Sequence, residues 1–179
     1  MKKLLLTSLI ALTLLGCSQA EDKVKEMITP EYEKMADVSD ILGEILTHIA
    51  DHDSELSFDD GTLVDTELGI PRYEVAPLTE IDHFNPVEVA EGYVVRPVVE
   101  VDNPHLLIVV EANDKASASS LNNGMKKVLS DQVAQFHDKG LGKIHLVNTN
   151  QTIRQGNYLI YATWDGAKEI THVFERHVK

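Results

Sequence analysis

Three observations predict an α+β fold: a two-layer sandwich with a mainly antiparallel sheet packed against amphipathic helices. Apolar residues recur at helical spacing in two polar stretches, Leu121-Met125-Val128-Leu129-Val133-Phe136 and Ile170-Val173-Phe174. β-Branched and aromatic residues gather instead in short runs at 93–101, 105–112 and 158–163. With a further short strand at 144–147, the C-terminal half reads β-β-α-β-β-α, and half-buried strands need helices to cover them.

The chain opens Met1-Lys2-Lys3 and continues from Leu4 to Leu15 with only Thr7, Ser8 and Thr13 interrupting the apolar run. A charged start followed by about a dozen mostly apolar residues reads as an export signal. A membrane-crossing helix needs roughly 20 apolar residues, whereas here Gln19, Glu21 and Asp22 follow at once. Leu14-Leu15-Gly16-Cys17 resembles the lipobox of bacterial lipoproteins. That resemblance implies cleavage after residue 16 and lipidation of the Cys17 thiol. The domain would then face outward from the cytoplasmic membrane, or sit on an outer membrane facing the periplasm. Ser18, being other than Asp, implies the outer membrane in a cell that has two. Cys17 is the only cysteine, so an intrachain disulfide and any CxxC redox or zinc site are excluded.

Residues 17–29 read as the lipidated cysteine and a polar tether, and residues 30–179 as a single domain. Thr29-Pro30 is a candidate helix start, with Thr29 as N-cap and Pro30 at the first helical position. Met35, Val38, Leu42, Ile45 and Ile49 give that helix one apolar face, widened by Ile41 and Leu46. The stretch Asp51 to Gly61 reads as acidic and turn-rich. Between Leu63 and Val89, short apolar pieces alternate with Gly69, Pro71, Pro77 and Pro86, which suggests a loop-rich wrap with helical turns near 62–69 and 78–84.

The first firm strand runs through 93–101, and Pro97 within it calls for an edge or a bulge because proline donates no ladder hydrogen bond. Asp102-Asn103-Pro104 turns the chain into the second strand, 105–112. Asn113-Asp114-Lys115 leads into a long helix over 116–139, stopped by Gly140-Leu141-Gly142. Ile144 to Val147 reads as a short strand and NTNQTIRQGN as a polar connection. Tyr158 to Thr163 is the last strand, and Asp165 is placed to cap a final helix.

The segments EGYVVRPVVEVDNPHLLIVVEANDKASA, LNNGMKKVLSDQVAQFHD and QGNYLIYATWDGAKEITHVFE together resemble a family of small bacterial extracytoplasmic lipoproteins of unknown function. The resemblance spans roughly Glu91 to Phe174. It rests on Val109-Val110-Glu111-Ala112 before Asn113-Asp114-Lys115, and on Gly156-Asn157-Tyr158 before Asp165 to Phe174. Where that family often carries a lysine near the end of the second strand, this chain has Val110-Glu111. The resemblance implies an envelope location and this domain shape, and brings no reaction, ligand or catalytic residue.

The chain carries 29 acidic and 16 basic side chains, a formal charge of −13, and loss of Lys2 and Lys3 with residues 1–16 takes this to −15. Such acidity opposes attraction to nucleic-acid phosphates and to anionic headgroups, so nucleic acid is excluded as a partner. Cofactor fingerprints are missing too: Gly140-x-Gly142 is neither a dinucleotide nor a Walker glycine pattern, and no G-x-S-x-G elbow occurs. No cofactor is expected.

The metal candidates are Asp51, Asp53 and Glu55, which alternate like the start of a calcium loop, and His48 and His52, four apart on a helix. The calcium pattern puts Leu56 and Thr62 where glycine and glutamate are required, which favours a solvated acidic loop. The histidine pair has Ile49 where a zinc hydrolase motif has glutamate, and Asp51 is the nearest further ligand. The acidic pairs Asp59-Asp60 and Glu111/Asp114 are candidates for acid–base work. Trp164, Tyr158 and Tyr161 suit core anchoring or an aromatic platform. The reading that follows is a lipid-anchored envelope binding or structural module for a protein or cell-wall partner. The alternative is a small envelope hydrolase using a metal or a convergent set of histidines and carboxylates.

Overall fold

Helix α1, Val38–His52, buries Val38, Ile41, Leu42, Ile45, Leu46 and Ile49, the face that the spacing predicts. The computed structural model describes residues 36–99 and 102–179, and all of these belong to one unit. The expected signal at 1–16, Cys17, the expected tether to residue 29, the expected helix start at Thr29-Pro30 and the expected strand end at 100–101 lie outside the described residues. Within them, α1 does not run continuously from Pro30. Asp37 is extended at the N-cap position, where its carbonyl accepts from the amides of Asp40 and Ile41.

The acidic stretch after α1 folds as a hairpin rather than a loop. Strands β1, Leu56–Asp59, and β2, Thr62–Asp65, pair antiparallel with Asp59 opposite Thr62. Asp60 at φ 43° and Gly61 at φ 81° form the two-residue connection. Two successive positive φ values match the right-handed twist of the flanking strands, and Asp-Gly supplies them at least cost. The helical turn expected near 62–69 is therefore strand β2 and the turn after it. The turn near 78–84 shortens to one 3-10 turn, Leu78–Glu80.

The main sheet has five strands: β3, Tyr73–Pro77; β4, Val89–Pro97; β5, Leu106–Ala112; β6, Gln151–Gln155; and β7, Tyr158–Thr163. Their order is β3-β4-β5-β7-β6, antiparallel throughout. Pro97 lies at the end of an interior strand opposite Tyr73, and the register irregularity in β4 is elsewhere, between Val89 and Glu91.

After β5 comes α2, Lys115–Phe136, whose N-cap Asp114 accepts from the Ser117 amide. The expected strand at 144–147 is instead part of helix α3, Leu141–Asn148. A four-residue run with three apolar members, Ile144, Leu146 and Val147, does not distinguish strand from buried helix, and here only Val147 is fully buried. The strand that precedes β7 is β6, drawn from the polar QTIRQ. As an edge strand it alternates half-buried and exposed positions, which needs no apolar run. Helix α4, Ala167–His177, takes Gly166 rather than Asp165 at its N-cap position, with no side-chain cap bond.

The fold is α+β, with a mainly antiparallel sheet packed against amphipathic helices, and the helices divide between its two faces. On one face α1 and α4 pack over Val95, Leu107, Val109, Tyr158 and Ile160, and Val178 just beyond α4 is also fully buried there. On the other face α2 packs Leu121 and Met125 over Val94, Ile108, Val110, Leu159 and Tyr161. A third layer thus joins the two that the sequence suggests, which is why every residue of β7 is buried.

Candidate functional site

A groove of about 530 Å³ opens where the end of β4 and the start of β5 meet α2. Ile81, Leu106, Val128 and Phe136 give it an apolar lining, while Asp131, Gln132 and Gln135 reach it from α2. The opposite walls come from the 80–83 segment and from Asn103 and His105.

One wall is held by close backbone approach. The 81–84 segment lies so near α2 that a Cβ at Gly124 would sit 2.8 Å from the His83 carbonyl oxygen and 2.9 Å from the Phe84 ring. Gly124 is thus where the helix admits the loop. His83 takes φ 82°, which side-chain-bearing residues rarely adopt, and its Nε2 lies 2.6 Å from Asp131 Oδ2. Asp131 is two helical turns beyond Gly124 on the same face of α2.

The other wall is a polar network. Gln132, nearly buried, donates from Nε2 to the Pro104 carbonyl at 3.0 Å. Its Oε1 accepts from the Tyr161 hydroxyl at 2.6 Å and from Thr163 Oγ1 at 2.9 Å. Burial pushes the Tyr161 phenol up to about 12, so it stays a neutral donor at any physiological pH.

His105 follows Pro104. Its Nδ1 is 2.6 Å from the Tyr73 hydroxyl and its Nε2 is 3.2 Å from Asp165 Oδ2. The ring stacks on Trp164 with centroids 4.5 Å apart and planes at 15°. Burial lowers its pKa below the ordinary histidine value, opposed by the hydrogen bond and charge of Asp165. Burial likewise raises the Tyr73 phenol. Arg96, which also lines the groove, is engaged by Glu74 and lies 3.7 Å from Glu80.

The residues singled out in the sequence fall elsewhere. His48 and His52 bring their rings to 4.1 Å, but His52 Nδ1 bonds the His48 carbonyl, a local helical contact. Burial, followed by the nearby His52, lowers the His48 pKa. Asp53 Oδ1 accepts from the Glu55 amide, and Glu55 Oε2 takes the Arg72 guanidinium at 3.2 Å. Leu56, at the calcium-loop glycine position, is a buried strand residue. Among the described residues no three His, Cys, Asp or Glu side chains form a group able to hold a metal ion. Asp51, Asp53, Glu55, His48 and His52 are therefore not assembled into one.

Asp114 caps α2, and its hydrogen bonds from Ser117 hold its pKa low, while Asp59 and Asp60 belong to the β1–β2 hairpin. Tyr158, Tyr161 and Trp164 are core anchors rather than an exposed platform. Asp165, expected as a cap, instead faces His105.

The residues that sequence reasoning missed are His83, Asp131, Gln132 and His105. The first two are 48 positions apart, and only the loop's close approach through Gly124 unites them. Comparison with models of known families, with curated proteins and with solved structures finds no match to this chain.

Proposed function

We propose that this chain is a lipid-anchored binding module of the bacterial envelope, attached through Cys17, which presents the groove beside α2 to a polar ligand or partner segment. The observation that carries the binding role is the groove itself. It is concave and lined by apolar side chains together with hydrogen-bonding ones from α2 and both walls, the usual composition of a recognition site. The anchor is supported by the opening Met1-to-Cys17 pattern. Among the described residues no helix is long and apolar enough to cross a membrane, so attachment would have to come from outside them.

Two measurements on the native protein test this reading. Mass spectrometry of the mature N-terminus is expected to find an acylated Cys17 peptide with residues 1–16 gone; an intact, unmodified precursor recovered free in the cytosol overturns the anchor. A photo-crosslinker at exposed Gln135 is expected to capture an envelope component that one at Lys168, on α4, does not. Identical capture from both positions, or capture unchanged by filling the groove with Val128→Trp, overturns the binding role.

One observation favours an envelope hydrolase as the second reading: the His83–Asp131 pair stands at the groove with a second histidine, His105, also lining it. A histidine oriented by a carboxylate is the usual arrangement of a general base. His83→Ala separates the two readings, because a hydrolase would lose turnover of a captured component while still binding it.

A further inference from the structure

We propose that Tyr73, His105 and Asp165 form a proton-operated latch on the groove, in which protonation of the His105 imidazole releases the Asn103-Pro104-His105 segment from the sheet and from α2. This inference names a regulation of the groove and rests on the reading that the groove is where the protein binds.

The argument is one of hydrogen-bond polarity. Asp165 Oδ2 stands 3.2 Å from His105 Nε2, and a carboxylate only accepts, so Nε2 carries the ring proton. Nδ1 is then a lone pair, and the Tyr73 hydroxyl, 2.6 Å away, donates to it. The same hydroxyl oxygen accepts from Asn103 Nδ2 at 3.4 Å, and Asn103 Oδ1 accepts from the His105 amide at 2.9 Å. In the neutral state every group therefore has the role its chemistry permits.

A proton added at Nδ1 sets two donors against each other. Tyr73 would have to turn its O–H away, and among the described residues its hydroxyl has no other acceptor. Tyr73 is buried, so water does not readily take that place, and a buried donor without an acceptor is costly.

The charged and titratable groups around the ring come from several elements. Asp165 after β7 and Asp53 after α1 both favour the imidazolium, and burial outweighs them. Arg72, preceding β3, acts on Tyr73, and the stacked Trp164 is uncharged. Lys143 reaches Asp102, three residues from the ring, at 3.4 Å.

The latch is tied to the groove through one bond. The Pro104 carbonyl accepts Gln132 Nε2, and Gln132 holds Tyr161 and Thr163 with its other end. Release of Pro104 and His105 removes a groove wall and strips a nearly buried amide of its acceptor.

The sign follows from linkage. Because the closed state holds His105 below 6.5, the released state binds the proton more readily. The latch is closed at and above the ordinary histidine value and opens as pH falls through the lower, folded value.

The test is an NMR titration of the full chain in detergent micelles without ligand, from about pH 8 to about pH 4.5. It follows the His105 ring nitrogens, the protection of the His105 backbone amide and the side-chain NH2 signals of Asn103 and Gln132. Expected are the Nε2–H tautomer at neutral pH, a midpoint below 6.5, and in the same step at least a roughly tenfold loss of protection at the His105 amide with a shift of both NH2 signals. Asp165→Asn, at an exposed side chain, should lower the midpoint further; His105→Gln should abolish the step. The proposal is overturned by an Nδ1–H tautomer at neutral pH, by ring titration without loss of protection, or by a step that survives in His105→Gln. Because no ligand is present, failure of the groove as a binding site would leave these readouts unchanged.

Discussion

A single hydrogen atom in place of a methyl group at Gly124 decides whether the 81–84 segment can reach α2. In a helix interior, alanine is ordinarily better than glycine by about 1 kcal/mol. Here the added Cβ would meet a backbone carbonyl oxygen at 2.8 Å, an atom with little freedom to yield. Overpacking of this kind costs roughly 1–3 kcal/mol, so Gly124→Ala is expected to destabilise by about 1 kcal/mol net. The urea midpoint should fall, and the His83 ring signals should shift with it. A rise in the midpoint, the usual helix result, would show that the approach is not tight. None of this is legible in LNNGMKKV, where Gly124 looks like a weak point in a helix, because its partners His83 and Phe84 are 41 and 40 residues earlier in the chain. His83, Asp131 and His105 escaped notice for the same reason: separated histidines and acids carry no local pattern.

At the scale of elements, legibility follows periodicity. Helices α1, α2 and α4 are readable because each repeats its apolar residues at one period over several turns, and strands β5 and β7 because each is a short unbroken apolar run bounded by turn residues. Strand β6 was not, because QTIRQ sits at a sheet edge and half-buried glutamines carry no hydrophobic signal. Helix α3 was mistaken for a strand because its apolar run is shorter than two helical turns. The β1–β2 hairpin had a readable sign in Asp60-Gly61, masked by the surrounding acidity. That turn offers a direct check. Gly61 sits at φ 81°, where a side chain costs roughly 1–2 kcal/mol, so Gly61→Ala should destabilise by about 1 kcal/mol. Leu56 and Leu63 carry the hairpin into the core beside α1. The loss should therefore appear as a lower midpoint of global unfolding, and an unchanged midpoint would mean that the hairpin opens independently.

Over the whole molecule, the sheet separates two apolar clusters, one under α1 and α4 and one under α2. The groove and its polar network lie on the α2 side, while Tyr73 and Trp164 belong to the cluster beneath α1 and α4. His105 touches both sets, through Trp164 on one hand and through Pro104 and Gln132 on the other. The α+β class and its antiparallel sheet were legible from segment order. The division of helices between two faces was not, since amphipathicity says that a face is covered without saying which.

Val178 gives a practical warning to anyone who engineers this chain. Its side chain is wholly enclosed just beyond the end of α4. A cut before Val178 would leave a void beneath α1 and α4, at a cost of about 2 kcal/mol for a lost valine. A calorimetric scan of the shortened chain should melt earlier, whereas equal melting would mean that neighbouring side chains close the gap.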